Sequence, residues 1–126
     1  MKVDRRAVLA GAQLAVLVGA TAIAVAQAVT SLTDRNANLL LYLVVLGAWV
    51  GGGRVAGRRQ PESPLTHGAL AAVLAYLVLV MILTLIDLVR GNEVADPIYL
   101  VFHALLASSM GIFGGYLAVR RSGRPA

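Results

Sequence analysis

Four apolar runs, each about 20 residues long and almost free of charge, make up nearly all of this chain of 126 residues. A helix rises 1.5 Å per residue, so a run of that length crosses the roughly 30 Å of hydrocarbon in a bilayer. The runs fall at about residues 7–30, 37–57, 67–89 and 98–119. Only short polar segments lie between them, so no stretch remains for a separate water-soluble domain. The fold expected is an all-α membrane protein with four transmembrane helices.

Composition agrees. Charged residues are 13% of the chain and the mean hydropathy is +0.80, whereas soluble domains carry about 25% charged residues. The charges collect at the ends of the runs. Of the 11 Lys and Arg, nine (Lys2, Arg5, Arg6, Arg54, Arg58, Arg59, Arg120, Arg121 and Arg124) lie on the side of the N-terminus; Arg35 and Arg90 lie on the other. Basic residues collect on the cytoplasmic side of short membrane loops. The topology residues are thus Arg5, Arg6, Arg58, Arg59, Arg120 and Arg121, and both termini are expected in the cytoplasm. The same rule accounts for the net charge of +5. Nucleic acid is not an expected partner, because no basic patch is interleaved with aromatics. Cysteine is absent, which excludes disulfides, thiolate metal sites and cysteine nucleophiles. Asp4-Arg5-Arg6 before an apolar run, with Ala26-Gln27-Ala28 further on, resembles a twin-arginine signal. The run is longer than the 7–15 residues of a signal-peptide core, and the repeat below needs it.

Shifted by 62 residues, the chain partly overlays itself. Asp34 meets Asp96, Gly52-Gly53 meets Gly114-Gly115, Ala56 meets Ala118, and Arg58-Arg59 meets Arg120-Arg121, all without a gap. The reading is two parallel-repeat helical hairpins, residues 1–62 and 63–126, related by an axis along the membrane normal. Val119 stands where a strict repeat would place a glycine to match Gly57.

In lipid, helices associate by close packing, so small residues mark their contacts. The first span carries Ala7, Gly11, Ala15 and Gly19 at spacing four; the second carries Gly47, Gly51, Gly52, Gly53 and Gly57; the fourth carries Gly111, Gly114 and Gly115. The eight glycines of the second and fourth spans are the expected helix-packing residues. The third span is most aliphatic from Leu77 to Leu83 and is expected to face lipid most.

An ionisable residue inside a span is a candidate site. Asp87 lies about one turn from the end of the third span, and His103 about two turns into the fourth. Reflecting that hairpin about its turn brings the two within a helical turn of each other, so they form the candidate polar site. The plainer alternative pairs Asp87 with Arg90 and lets His103 bond a facing backbone or hydroxyl group. Gln27 is expected within reach of Tyr42, and Gln13 level with Arg54. His67, where the third span begins, suits a headgroup or Glu62 contact. The two histidines lie on opposite sides of the bilayer and cannot share a metal, so neither metal nor cofactor is expected.

Gly52-Gly53-Arg54-Val55-Ala56-Gly57-Arg58-Arg59, followed by His67-Gly68-Ala69-Leu70, resembles a group of small bacterial four-span membrane proteins. They share a Gly-Gly-x-x-Ala-Gly loop and a His-Gly-Ala helix start. The resemblance implies the fold and a place in a bacterial inner membrane, and no activity. Small multidrug exporters place a Glu in the first span, and this chain has none there. Small fluoride channels insert in both directions, which a nine-to-two charge bias opposes, and their Asn and Phe pore motifs are absent.

The first functional expectation is a packing or interaction protein: a homo-oligomer, or an accessory subunit beside another membrane protein in the lipid bilayer. The alternative is a small-solute or proton-coupled transporter or channel using Asp87 and His103. An enzyme is not expected, because no nucleophile, base and orienting group converge.

Overall fold

In a computed structural model the described residues, 2–28 and 35–122, form four α-helices and no strand. These are α1 (Arg5–Ala28), α2 (Arg35–Arg59), α3 (Pro64–Arg90) and α4 (Pro97–Ser122). All four are long and apolar enough to cross a membrane. Local chemistry sets the ends. Asp4 caps α1, its Oδ1 accepting from the backbone N–H of Arg6 at 2.8 Å and of Ala7 at 3.4 Å. Asp96 caps α4 in the same way through Ile98 N–H at 2.8 Å, with Pro97 at the first helical position. At the end of α3, Gly91 takes φ +71°, a left-handed conformation that glycine reaches without Cβ strain. Its N–H bonds Leu88 O, and Asn92 N–H bonds Asp87 O at 2.9 Å, closing the last carbonyls. Arg35 and Asn36, expected in a turn, belong to α2. The rest of that turn, Asp34 included, lies outside the described residues, as do the side chains of Gln27 and Arg121 and all of Arg124.

The hairpins α1–α2 and α3–α4 stack side by side in the same direction, α1 against α3 and α2 against α4. The α2–α3 pair lies at the centre and touches every other helix, while α1 and α4 do not touch among the described residues. An axis along the membrane normal would give α1 and α4 the contact that α2 and α3 make, so the relation is a sideways displacement instead. The glycines explain it. Gly52 of α2 faces Gly11 and Ala15 of α1, while Gly53 and Gly57 face Gly111 and Gly115 of α4. Val119, the counterpart of Gly57, is exposed, and α4 turns no glycine face to α1.

The interior is built from small residues and two large aromatics. Ala12, Ala15, Ala72, Ala75 and Ala107 are buried around Trp49 and Tyr76, whereas Leu9, Leu17, Leu40, Leu77 and Leu105 point outward. Lipid tails solvate leucine as well as a protein core does, so close backbone packing decides which face turns in. A Cβ on Gly53 would lie 2.8 Å from Gly111 Cα, and one on Gly57 would lie 3.0 Å from Gly115 Cα. The third span does not face lipid most. Of its apolar window 28% is buried, as in α2, against 22% for α4. Its first half holds the buried residues His67 to Leu79, and the aliphatic stretch from Met81 onward is largely exposed.

Candidate functional site

A cavity of about 260 Å³ lies among α2, α3 and α4, running from the middle of the bundle to the α3–α4 turn at Ala95. Its wall is mostly apolar. Asp87 and His103 both line it, together with the rings of Tyr42, Trp49, Tyr76 and Tyr99. Helical geometry puts them there: Trp49 and Tyr42 are seven residues apart and share one face of α2. His103 and Tyr99, four apart on α4, share one face in the same way.

Trp49 is 3% exposed and meets Tyr76 edge-on, ring centroids 5.9 Å apart at 84°. The Tyr76 hydroxyl is satisfied, donating to Leu100 O at 2.7 Å. The Trp49 indole N–H is buried with no hydrogen-bond partner among the described residues. His103 Nδ1 lies 3.0 Å from Tyr99 O; a carbonyl only accepts, so Nδ1 carries the proton. Its Nε2 lies 3.4 Å from the Tyr42 hydroxyl, a long contact, and its ring sits 4.0 Å from that of Tyr99. Thus His103 bonds a backbone carbonyl and a facing hydroxyl, and makes no bond to Asp87. No hydrogen bond joins the half-buried Asp87 carboxylate to another described residue of the cavity wall.

A second polar cluster closes the opposite end. The backbone N–H of Asp4 donates to His67 Nε2 at 2.9 Å, and Gln60 Nε2 donates to Asp4 Oδ2 at 2.7 Å. His67 Nδ1 lies 2.8 Å from Ser63 O and 2.9 Å from Ser63 Oγ. His67 is 0% exposed. It faces neither a headgroup nor Glu62, the two contacts expected from the sequence, because Asp4, just before α1, folds over it. Gln60 holds the Asp4 carboxyl below its usual value; the Arg6 and Ala7 N–H groups add to this, and burial opposes it.

The expected helix-packing glycines divide. Gly52, Gly53, Gly57, Gly111, Gly114 and Gly115 all abut backbone of a neighbouring helix. Gly51 has only Leu14 near it, at 3.8 Å, and Gly47 has nothing within 4 Å, so Gly47 takes no part in packing inside the chain. Arg5, Arg6, Arg58, Arg59 and Arg120 are exposed. They share the end of the bundle that holds the Asp4–His67 cluster, since each belongs to a helix end that meets there.

Sequence reasoning missed Trp49, Tyr76 and Asp4. The Asp4 cap was legible in an Asp just before a helix. Trp49 and Tyr76 carried no signal, since an aromatic in mid-span is ordinary core. Among the described residues no three His, Cys, Asp or Glu side chains converge on a metal position. The chain matches no protein-family model, no curated protein and no solved structure.

Proposed function

We propose that this four-span membrane protein, non-enzymatic and with both termini in the cytoplasm of a bacterium, binds a small solute in the α2–α3–α4 cavity and carries it across the inner membrane. One observation carries the reading. The Asp87 carboxylate and the Trp49 indole N–H lie on the wall of one aromatic cavity, and neither has a hydrogen-bond partner among the described residues of that wall. Leaving the buried indole N–H without a partner costs about 1–3 kcal/mol. An ionisable residue such as Asp87 inside a span is a solute-pathway candidate by default, and a bound solute would pair both groups. His103 stands beside them as a positioning residue, held by Tyr99 and Tyr42. Flux into liposomes, wild type against Asp87→Asn, tests the reading: equal flux makes the cavity structural.

The second reading is an interaction protein, a homo-oligomer or accessory subunit. It keeps one observation, the open notch at Gly47 on the exposed face of α2. Most of the other small-residue ridges are used within the chain. Native mass spectrometry from mild detergent tests this reading, and a clean monomer without a co-purifying partner would end it.

A further inference from the structure

We infer that the cavity is built for a small organic ammonium ion carrying an oxygen acceptor. This rests on the solute-binding reading above and adds the chemical class. Among the described residues that line the cavity, Asp87 alone bears a formal charge. A cation would pair its carboxylate, since no Lys or Arg lines this cavity among the described residues. The remaining wall suits the same ion. Tyr42, Trp49, Tyr76 and Tyr99 supply four aromatic rings, and a cation within about 6 Å of such a face gains most when the site is desolvated. An inorganic cation would need several oxygen ligands, whereas an alkylated ammonium can lay its methyl groups against the rings.

The Trp49 N–H adds the second element. It is a donor only, buried and without a partner among the described residues, so the ligand must bring an acceptor, such as an ester, hydroxyl or amide oxygen. Asp87 sits in the last turns of α3 and Trp49 near the middle of α2, so the charge lies toward the turn and the acceptor deeper. At about 260 Å³ the cavity is just below the 300–1,000 Å³ of drug-sized pockets, which limits the ligand to a compact ion. The same chemistry is available from a free solute or from the headgroup of an ammonium-bearing lipid.

Trp49 is the one tryptophan of the chain, so its fluorescence reports on the cavity. The protein is placed in phosphatidylglycerol nanodiscs, which contain no ammonium headgroup. It is titrated with acetylcholine, its uncharged carbon isostere 3,3-dimethylbutyl acetate, and the anion 3,3-dimethylbutanoate. Saturable change with acetylcholine is expected, about tenfold or more tighter than with the isostere. Asp87→Asn should remove that preference, and Asp87→Glu, which keeps the charge, should retain it, with helicity unchanged in both. A cavity that takes the isostere or the anion as well as the cation overturns the ammonium class and leaves solute binding standing. No response to any probe overturns both. Repeating the titration in phosphatidylcholine nanodiscs separates the sources: a signal already saturated there identifies a lipid headgroup, and an unchanged titration identifies a free solute.

Discussion

The backbone N–H of Asp4 donates to Nε2 of His67, 63 positions later, at 2.9 Å. A backbone N–H can only donate, so Nε2 carries no proton and the ring is the neutral Nδ1–H tautomer, which donates to Ser63 O. The contact ties the start of α1 to the first turn of α3 and joins the two hairpins at the arginine end. Gln60 and Ser63, from the loop between α2 and α3, complete it.

Replacing His67 by Ala should loosen that end. The Asp4 N–H loses its partner beside a fully buried site, at a cost of about 1–3 kcal/mol, while the Ser63 carbonyl keeps the backbone N–H of residue 67. Unfolding in mixed micelles at increasing detergent denaturant measures the loss. An unchanged midpoint would mean that water replaces the ring without cost.

Asp4 predicts an acid-side pH dependence. Its folded pKa is depressed below the usual 3.8, chiefly by the hydrogen bond from Gln60. The ionised carboxylate therefore favours the fold above pH 3.8, and that contribution is lost as pH falls through the lower folded value. Asp4→Asn keeps an oxygen to cap Arg6 and Ala7 and should flatten the dependence there. Stability measured from neutral pH downward, wild type against variant, checks it; parallel curves would rule out Asp4 as the cause.

Gly47 and Gly53 sit six residues apart on α2 and should respond oppositely to alanine. At Gly53 a methyl group meets the backbone of Gly111, and overpacking of this kind costs about 1–3 kcal/mol. At Gly47 nothing lies within 4 Å, so the higher helix propensity of Ala, worth up to about 1 kcal/mol in water, acts alone. Thermal unfolding of the two variants decides between a ridge used inside the chain and one that is not. A destabilised Gly47→Ala that also changes oligomeric state would favour the interaction reading.

The orientation can be read with single thiols, because the chain contains no cysteine. Glu62→Cys lies in the α2–α3 loop and Glu93→Cys in the α3–α4 turn. A membrane-impermeant maleimide added to intact cells should label position 93 and spare position 62. The reverse pattern would place the arginine end outside.

Much of this fold can be read without coordinates. The number of spans, the short turns and the gathering of arginines follow from run length and charge, because hydrocarbon forbids unpaired backbone and exposed charge. The stop at Gly91 and the start at Pro97 are equally local, whereas α3 begins at Pro64, three residues before the apolar run seen in the sequence. The ends of the candidate pair, Asp87 and His103, were legible as the polar residues of two facing helices, and one cavity holds both.

What the sequence could not decide is which face of each helix turns inward. In water, alternation of polar and apolar residues marks the buried stripe; in spans where almost every side chain is apolar, that contrast vanishes. Lipid solvates Leu77 and Leu105 as readily as the core would, and the interior goes to whatever allows the closest backbone approach. Thus Gly52, Gly53 and Gly57 made α2 an inner helix. The inner half of α3 is buried despite its aliphatic end, and the hairpins lie side by side where the repeat had implied an axis. Only that packing set the rings of Trp49 and Tyr76 edge to face and left the indole N–H and the Asp87 carboxylate on one cavity wall.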